Sequence, residues 1–244
     1  MAGVDDEPLG EWEARQFKSG AARANYLAMD RPDLSFATKE LCRRMSSPRR
    51  ADLAALHRVA RYLLASPRIG YAYVWQPDER LRVFVDTDFA GCTATRRSTS
   101  GGCAFRGSHL VKHWSTTQKA ITLSSGEAEL AGVVKGASEG LGLQSLGRDL
   151  GVELGLRVFA DSTAAVGICR RCGIGNVRHL AVGQLWVQER LRCGDFELYK
   201  VAGTANPADA LTKHLARDVL DRHLAAMAVR RLSGRAASVP HLAA

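Results

Sequence analysis

Between Leu53 and Leu64 the apolar residues Leu53, Leu56, Val59, Ala60, Leu63 and Leu64 recur at the spacing of one helical face. Two upstream stretches read the same way. Ala21–Leu27 is alanine-rich, and Leu34–Met45 follows Asp33, a residue suited to cap it; Pro48 then breaks the pattern and Asp52 is the expected cap of the third helix. Past Pro77 the period shortens. Leu81-Arg82-Val83-Phe84-Val85-Asp86 is a β-branched run of strand type, and Gly101–Phe105 and Leu110–Trp114 follow, with Gly107-Ser108 as the hairpin turn. Ser124-Ser125-Gly126-Glu127 reads as a capping box opening a helix that runs to about Leu150. Its glycines Gly132, Gly136 and Gly140 lie four apart on one face and predict close packing on a sheet, at a cost in helix propensity.

A second buried strand, Leu156–Ala160, ends at Asp161 and leads into a helix from Ser162 to about Cys172. A helix over His179–Arg192 with Leu185 and Trp186 inward, a Gly194-Asp195 turn and a strand over Phe196–Val201 come next. Asn206 at the N-cap and Pro207 at the first helical position open the last helix. The order β-β-β-α-β-α-α-β-α predicts an α/β fold: a five-stranded mixed sheet, three antiparallel strands and then alternating α/β, flanked by helices and preceded by a helical extension. The expected boundaries are 1–77 for the helical region, 78–225 for the α/β domain and 226–244 for a basic, unstructured tail.

Composition adds little until charge is considered. With 46% hydrophobic and 24% charged residues, the 244-residue chain is of ordinary globular type, which excludes disorder, collagen and coiled coil. Against 34 Lys+Arg stand 25 Asp+Glu, a net charge of +9, and five of those acids lie within the first 14 residues. A basic chain with no apolar run of about 18–20 residues and no leader pattern at its start is expected to be intracellular, to have no membrane partner, and to meet a polyanion, nucleic acid first. Arg43, Arg44, Arg49, Arg50, Arg58 and Arg61 give the helical region basic faces; solvation is the ordinary explanation and phosphate contact the alternative. The six cysteines are expected to be reduced. Cys169-Arg-Arg-Cys172 has the spacing of half a zinc site, but no second pair completes it, so two turns of one helix are preferred.

The candidate chemistry is acidic. Two apolar strands end in aspartates, Asp86 and Asp161, where a carboxylate is costly unless something positive meets it. Glu129 lies in the first turns of the long helix and Asp209 in the first turn of the last. Singly, each has a structural explanation as a cap or a surface acid; together they suggest a carboxylate nest for a divalent metal. Asp88 shares a strand face with Asp86 and remains a further candidate. Glu127, about 200° round the helix from Glu129, cannot face the same metal with it.

Val85-Asp86-Thr87-Asp88-Phe89-Ala90-Gly91, Arg96-Arg97-Ser98-Thr99-Ser100-Gly101-Gly102, Leu123–Leu130, Ala160-Asp161-Ser162 and Asn206–Lys213 together resemble the ribonuclease H domain of copia-type retrotransposon polyproteins, over nearly all of 79–216. Arg23–Leu27, Arg31–Ala37 and Arg58–Leu63 are similar to the stretch upstream, where reverse transcriptase ends. The resemblance implies a ribonuclease H-like fold and hydrolysis of the RNA strand of an RNA–DNA hybrid by two Mg²⁺ ions, for which Mn²⁺ can substitute, about 3.5–4 Å apart. It implies Asp86, Glu129, Asp161 and Asp209 as the four catalytic, metal-binding carboxylates, with Asp86 bridging the ions, Asp209 completing the water-activating site, and Glu129 and Asp161 holding the other ion. The implied partners are the hybrid and the polymerase part of a reverse transcriptase.

For nucleic-acid contact, Arg96, Arg97, Arg178, Lys213 and His214 are phosphate candidates, and Ser124 and Ser125 are candidates for reading the 2′-hydroxyl across the minor groove. Clustered carboxylates without metal are expected to lower stability and raise at least one pKa. Gly203-Thr204-Ala205-Asn206 carries no His where many cellular ribonucleases H have one, and no Tyr-x-Asp-Asp polymerase motif occurs. Two other readings stay open at this point: an inactive or co-opted nucleic-acid-binding copy, and an accessory part of a separately encoded reverse transcriptase.

Overall fold

The structure is a computed structural model, and it describes residues 7–77, 80–173, 175 and 182–234. The chain divides into two compact units: Met1–Ala72 with Ala228–Ala244, and Tyr73–Met227.

In the first unit α1 (Glu11–Leu27), α2 (Pro32–Cys42) and α3 (Arg50–Ala65) close on Phe17, Ala21, Leu34, Leu41 and Val59, with Leu53, Leu56 and Leu63 packed against them. α1 and α3 come close at Gly20, where a Cβ would stand 2.7 Å from a terminal methyl of Leu56. Ala60 and Leu64, expected on the inner face of α3, are exposed. The helix starts also differ from expectation. Pro32 begins α2, so Asp33 lies inside its first turn rather than capping it; Asp52 likewise sits inside α3 and accepts the Arg49 N–H at 2.9 Å. Released from capping, Asp33 is buried and fully paired: Arg31 donates to both its oxygens at 2.9 and 2.7 Å, and the Tyr62 hydroxyl donates at 2.6 Å. Burial and the neighbouring Asp33 carboxylate push the Tyr62 hydroxyl up to about 12.

Two strands in this unit were not expected. β1 (Arg68–Tyr71) and β7 (Val229–Leu232) pair antiparallel from Arg68↔Leu232 to Tyr71↔Val229, so residues 229–232 are not an unstructured tail. Four residues with no period of their own gain order from a partner strand. Arg231 adds to this, its guanidinium 5.2 Å from the Tyr62 ring centroid and bonded to Ser66 Oγ at 2.5 Å. Residues 235–244 lie outside the described residues.

The second unit is a five-stranded mixed sheet in the order β4-β3-β2-β5-β6, formed by β2 (Arg80–Asp88), β3 (Thr99–Arg106), β4 (His109–Thr117), β5 (Gly155–Ala160) and β6 (Glu197–Lys200). β2 runs antiparallel to β3 and parallel to β5, which puts the carboxyl ends of β2 and β5 side by side. α4 (Ser125–Asp149) lies on one face through its glycines: a Cβ on Gly136 would come 2.3 Å from Val85, and one on Gly140 2.6 Å from Leu156. The core there is Val83, Val85, Leu130, Val133, Val158 and Ala160. Phe105, Phe84, Phe159 and Tyr199 form a row with adjacent centroids 4.7 to 5.7 Å apart, Phe105 edge-on to Phe84 and the other pairs stacked; strand alternation places Phe84 on the face opposite Val83 and Val85.

α5 (Thr163–Arg170) is capped by Ser162 and ends before Cys172, so the two cysteines are not on one helix: Cys169 is buried and Cys172 exposed beyond its end. α6 (Val182–Arg192) buries Val187 and Gln188 most completely, while Leu185 and Trp186 are partly buried against the core. The Asn206-Pro207 start opens a short 3₁₀ turn, Pro207–Leu211, and the α-helix α7 (Arg217–Ala226) follows separately.

Candidate metal centre

Asp86 lies on β2 two residues before the strand ends, and its register partner Gly101 faces the side where the Pro207–Leu211 turn lies on β3. That turn can come close because Gly101, the register partner of Asp86, has no side chain. A Cβ there would meet Thr212 at 2.7 Å, Leu211 at 2.8 Å and the Ala208 carbonyl at 3.0 Å. Asn206, fully buried, fastens the turn: its Nδ2 donates to the Val85 carbonyl at 2.8 Å while its Oδ1 accepts the Ala208 N–H at 3.2 Å. Thr212 donates from Oγ1 to Asp86 Oδ2 at 2.5 Å. Sequence reading identified Asn206 only as a cap and gave Thr212 no role.

Asp86, Glu129 and Asp161 each offer a carboxylate oxygen, and these atoms all lie within 4.8 Å of one another. Burial raises all three pKa values. Asp86 is lifted to about 6, the Thr212 hydrogen bond opposing and Asp161 and Asp209 adding to the effect. Glu129 rises to about 9, driven by burial and then by the Asp86 and Asp161 charges. Asp161 is also raised, against hydrogen bonds from its own backbone and Asn206. Glu129 Oε2 is buried with no hydrogen-bond partner. Three converging carboxylates, one with an oxygen lacking any donor, fit a hard divalent cation, which takes oxygen ligands and offsets their mutual repulsion.

The other acids separate cleanly. Glu127 is the helix cap: its carboxylate accepts from the Leu123 N–H at 3.0 Å and the Ser124 hydroxyl at 3.1 Å, while its own N–H donates to Ser124 Oγ. Asp88 lies against the turn at Gly91, where a Cβ would stand 1.7 Å from its Oδ2, and is outside the group of three. Asp209 is near but also outside that group. Lys213 pairs with its Oδ1, and His223 Nε2 lies 3.7 Å from its Oδ2. Burial lowers the His223 pKa against the pull of Asp209; burial acts the same way on Lys213, but Asp209, Asp86 and Asp88 outweigh it and hold the ammonium above its ordinary value. No motif pointed to His223, because it lies on α7 and only folding returns it to Asp209.

Of the nucleic-acid candidates, Arg96 and Arg97 are exposed in the segment between β2 and β3, Arg96 with a left-handed φ of 55°. Ser124 spends its hydroxyl on the helix cap, and Ser125 beside it is exposed. Lys213 is exposed but bound to Asp209, and Arg178 lies outside the described residues.

No family model matches the chain. The retrovirus-related Pol polyprotein from transposon RE1 of Arabidopsis thaliana is 28% identical over 220 residues, covering 89% of this chain and 15% of the polyprotein. That from transposon RE2 of the same plant is 30% identical over 205 residues, 83% of this chain and 14% of the polyprotein. The chain therefore spans about one seventh of the length of these relatives. Among solved structures, RNase H1 of the archaeon Halobacterium salinarum is 17% identical, covers 59% of this chain and 98% of its own, and superposes with a TM-score of 0.41. The fold itself rests on strand order and register: three antiparallel strands, then two added in parallel beside the first. The chain belongs with the retrovirus-related Pol polyproteins of copia-type transposons, and its five-stranded unit is a ribonuclease H-like domain.

Proposed function

We propose that the five-stranded unit is a divalent-metal-dependent endonuclease that hydrolyses the RNA strand of RNA–DNA hybrids, and that the helical unit derives from the end of a reverse transcriptase. The observation that carries the reading is the convergence of Asp86, Glu129 and Asp161 around a buried, partnerless Glu129 oxygen. These three and Asp209 would hold two Mg²⁺ ions, or Mn²⁺ in their place. Bound there, the ions would supply a lowered pKa for the attacking water and charge stabilisation at the leaving oxygen.

The chain's own residues prepare that site. Thr212 and Asn206 fix Asp86 and the turn bearing Asp209, which preorganises the carboxylates before substrate arrives. Lys213 and His223 hold Asp209 at the rim. Arg96 and Arg97, both exposed, would contact the phosphate backbone, and the exposed Ser125 hydroxyl would read the 2′-OH.

A cleavage assay on a hybrid labelled in its RNA strand tests this, comparing the protein with Asp86→Asn in Mg²⁺ and in EDTA. Cleavage of RNA in the hybrid, absent in EDTA and in Asp86→Asn, is the expected result. Equal signal from both proteins ends the catalytic reading, and hybrid binding without any cleavage supports an inactive binding copy instead.

A further inference from the structure

The charge of this chain is not concentrated on its carboxylate-bearing unit. Residues 73–227 hold 19 Lys+Arg against 16 Asp+Glu, whereas residues 1–72 and 228–244, a much shorter total, hold 15 against 9. Within the helical unit the acids are gathered elsewhere. Glu7 and Glu13 meet Arg50, Glu11 meets Arg15, Asp33 meets Arg31, Glu40 meets Arg43 and Asp52 meets Arg44. From 53 to 77 there is no acid at all, while Arg58, Arg61 and Arg68 occur.

The outer face of α3 falls in that stretch. Ala54, His57, Arg58, Arg61 and Ala65 lie within an arc of about 100° on the helix, all exposed, opposite the core-facing Leu56, Val59 and Leu63. Among the described residues no ion pair involves Arg58 or Arg61. Like charges three apart on a helix repel, and here no acid on the same face offsets them. The small alanines on either side leave the guanidinium groups proud of the surface, so an extended polyanion can approach closely. We propose that the outer face of α3, through Arg58 and Arg61, is a second nucleic-acid contact surface that binds the phosphate backbone. Guanidinium groups suit it, since they pair with phosphate oxygens in a fork without regard to sequence. This rests on nucleic acid being the substrate of the chain, and it adds affinity without touching the reacting phosphate.

The test is a salt titration of binding between the full chain and a fluorescently labelled RNA–DNA hybrid in EDTA, followed by anisotropy. The Arg58→Gln/Arg61→Gln double variant is compared with the unaltered protein and with Arg217→Gln, an exposed control on α7. The double variant is expected to bind about tenfold more weakly near 0.1 M salt, with the slope of log K on log salt reduced by about two units. The control should change neither, and circular dichroism should show all three folded. Unchanged affinity and slope in the double variant overturn the proposal and leave an acidic protein segment as the better partner. Weaker binding with an unchanged slope overturns it too, because no phosphate contact was lost. The nuclease reading fails differently, through absence of cleavage in Mg²⁺ by the unaltered protein.

Discussion

Each unit buries carboxylates, and the two settings are opposites. In the helical unit Asp33 is met by a two-pronged Arg31 and by Tyr62, so its charge is compensated on every side. In the sheet unit Asp86, Glu129 and Asp161 converge with neutral hydrogen bonds from Thr212 and Asn206 but, among the described residues, no ion pair, and a Glu129 oxygen has no donor. The same side-chain type, buried in the same chain, thus stabilises one unit and strains the other. A fold tolerates the second arrangement only where a ligand is expected to complete it.

The comparison is broken most directly by removing one acid from each unit. Asp86→Asn should reduce hybrid cleavage about 10³-fold or more, some 4 kcal/mol in the barrier, while the melting temperature in EDTA holds or rises because a repelling charge has gone. Asp33→Ala should do the reverse. It strands the buried Arg31 charge and the Tyr62 hydroxyl and costs about 3–5 kcal/mol in denaturant unfolding of the helical unit. A metal-free Asp86→Asn protein clearly less stable than its parent would deny that the nest is strained.

Geometry comes next in size. Gly101→Val drives a side chain into Thr212, Leu211 and a backbone carbonyl that cannot swing aside. The expected loss is about 1–3 kcal/mol, accompanied by weaker Mg²⁺ binding in calorimetry as Asp209 is pushed outward. Normal metal affinity in a folded Gly101→Val protein would show that the turn does not set the site.

The smallest effect is in pH. Glu129 at about 9 and Asp86 at about 6 both lie above the ordinary carboxylate values near 4. The folded, metal-free protein therefore holds more protons than the unfolded chain across roughly pH 4 to 9, so its stability falls as pH rises through that window. Thermal melts in EDTA should show a lower midpoint at pH 9 than at pH 5. Glu129→Gln should flatten the trend, as should saturating Mg²⁺, which needs the charged carboxylates.

Much of this was legible along the chain. The Ser124 cap, the glycine face of α4, the Gly107 hairpin and all five strands of the sheet follow local rules, because each depends on residues within a few positions of one another; of the expected capping box only the Ser124 half forms, Glu127 accepting from the Leu123 N–H instead. The acids Asp86, Glu129 and Asp161 could be singled out because each ends or begins an element. What failed was non-local. β1 and β7 were missed since each of these four-residue strands has meaning only beside the other, 160 residues away in the chain. An acid near a helix start reads as a cap, yet α2 starts at Pro32 and α3 is capped by Arg49, which leaves Asp33 and Asp52 inside the first turns. Thr212 and His223 carried no signal, as their partners are distant carboxylates.

By itself the sequence determined the local alphabet of this protein: the periodicities, caps and turns, an excess of basic charge, and four acids at element ends. Tertiary structure alone decided which acids repel and which are paired, that Asp209 stands apart in the grip of Lys213 and His223, and that the helical unit is closed by the chain's returning strand. The reason is range. Hydrogen-bonded turns and helical faces are set within a few residues, whereas burial and Coulomb energy depend on whatever side chain the fold brings within a few ångströms.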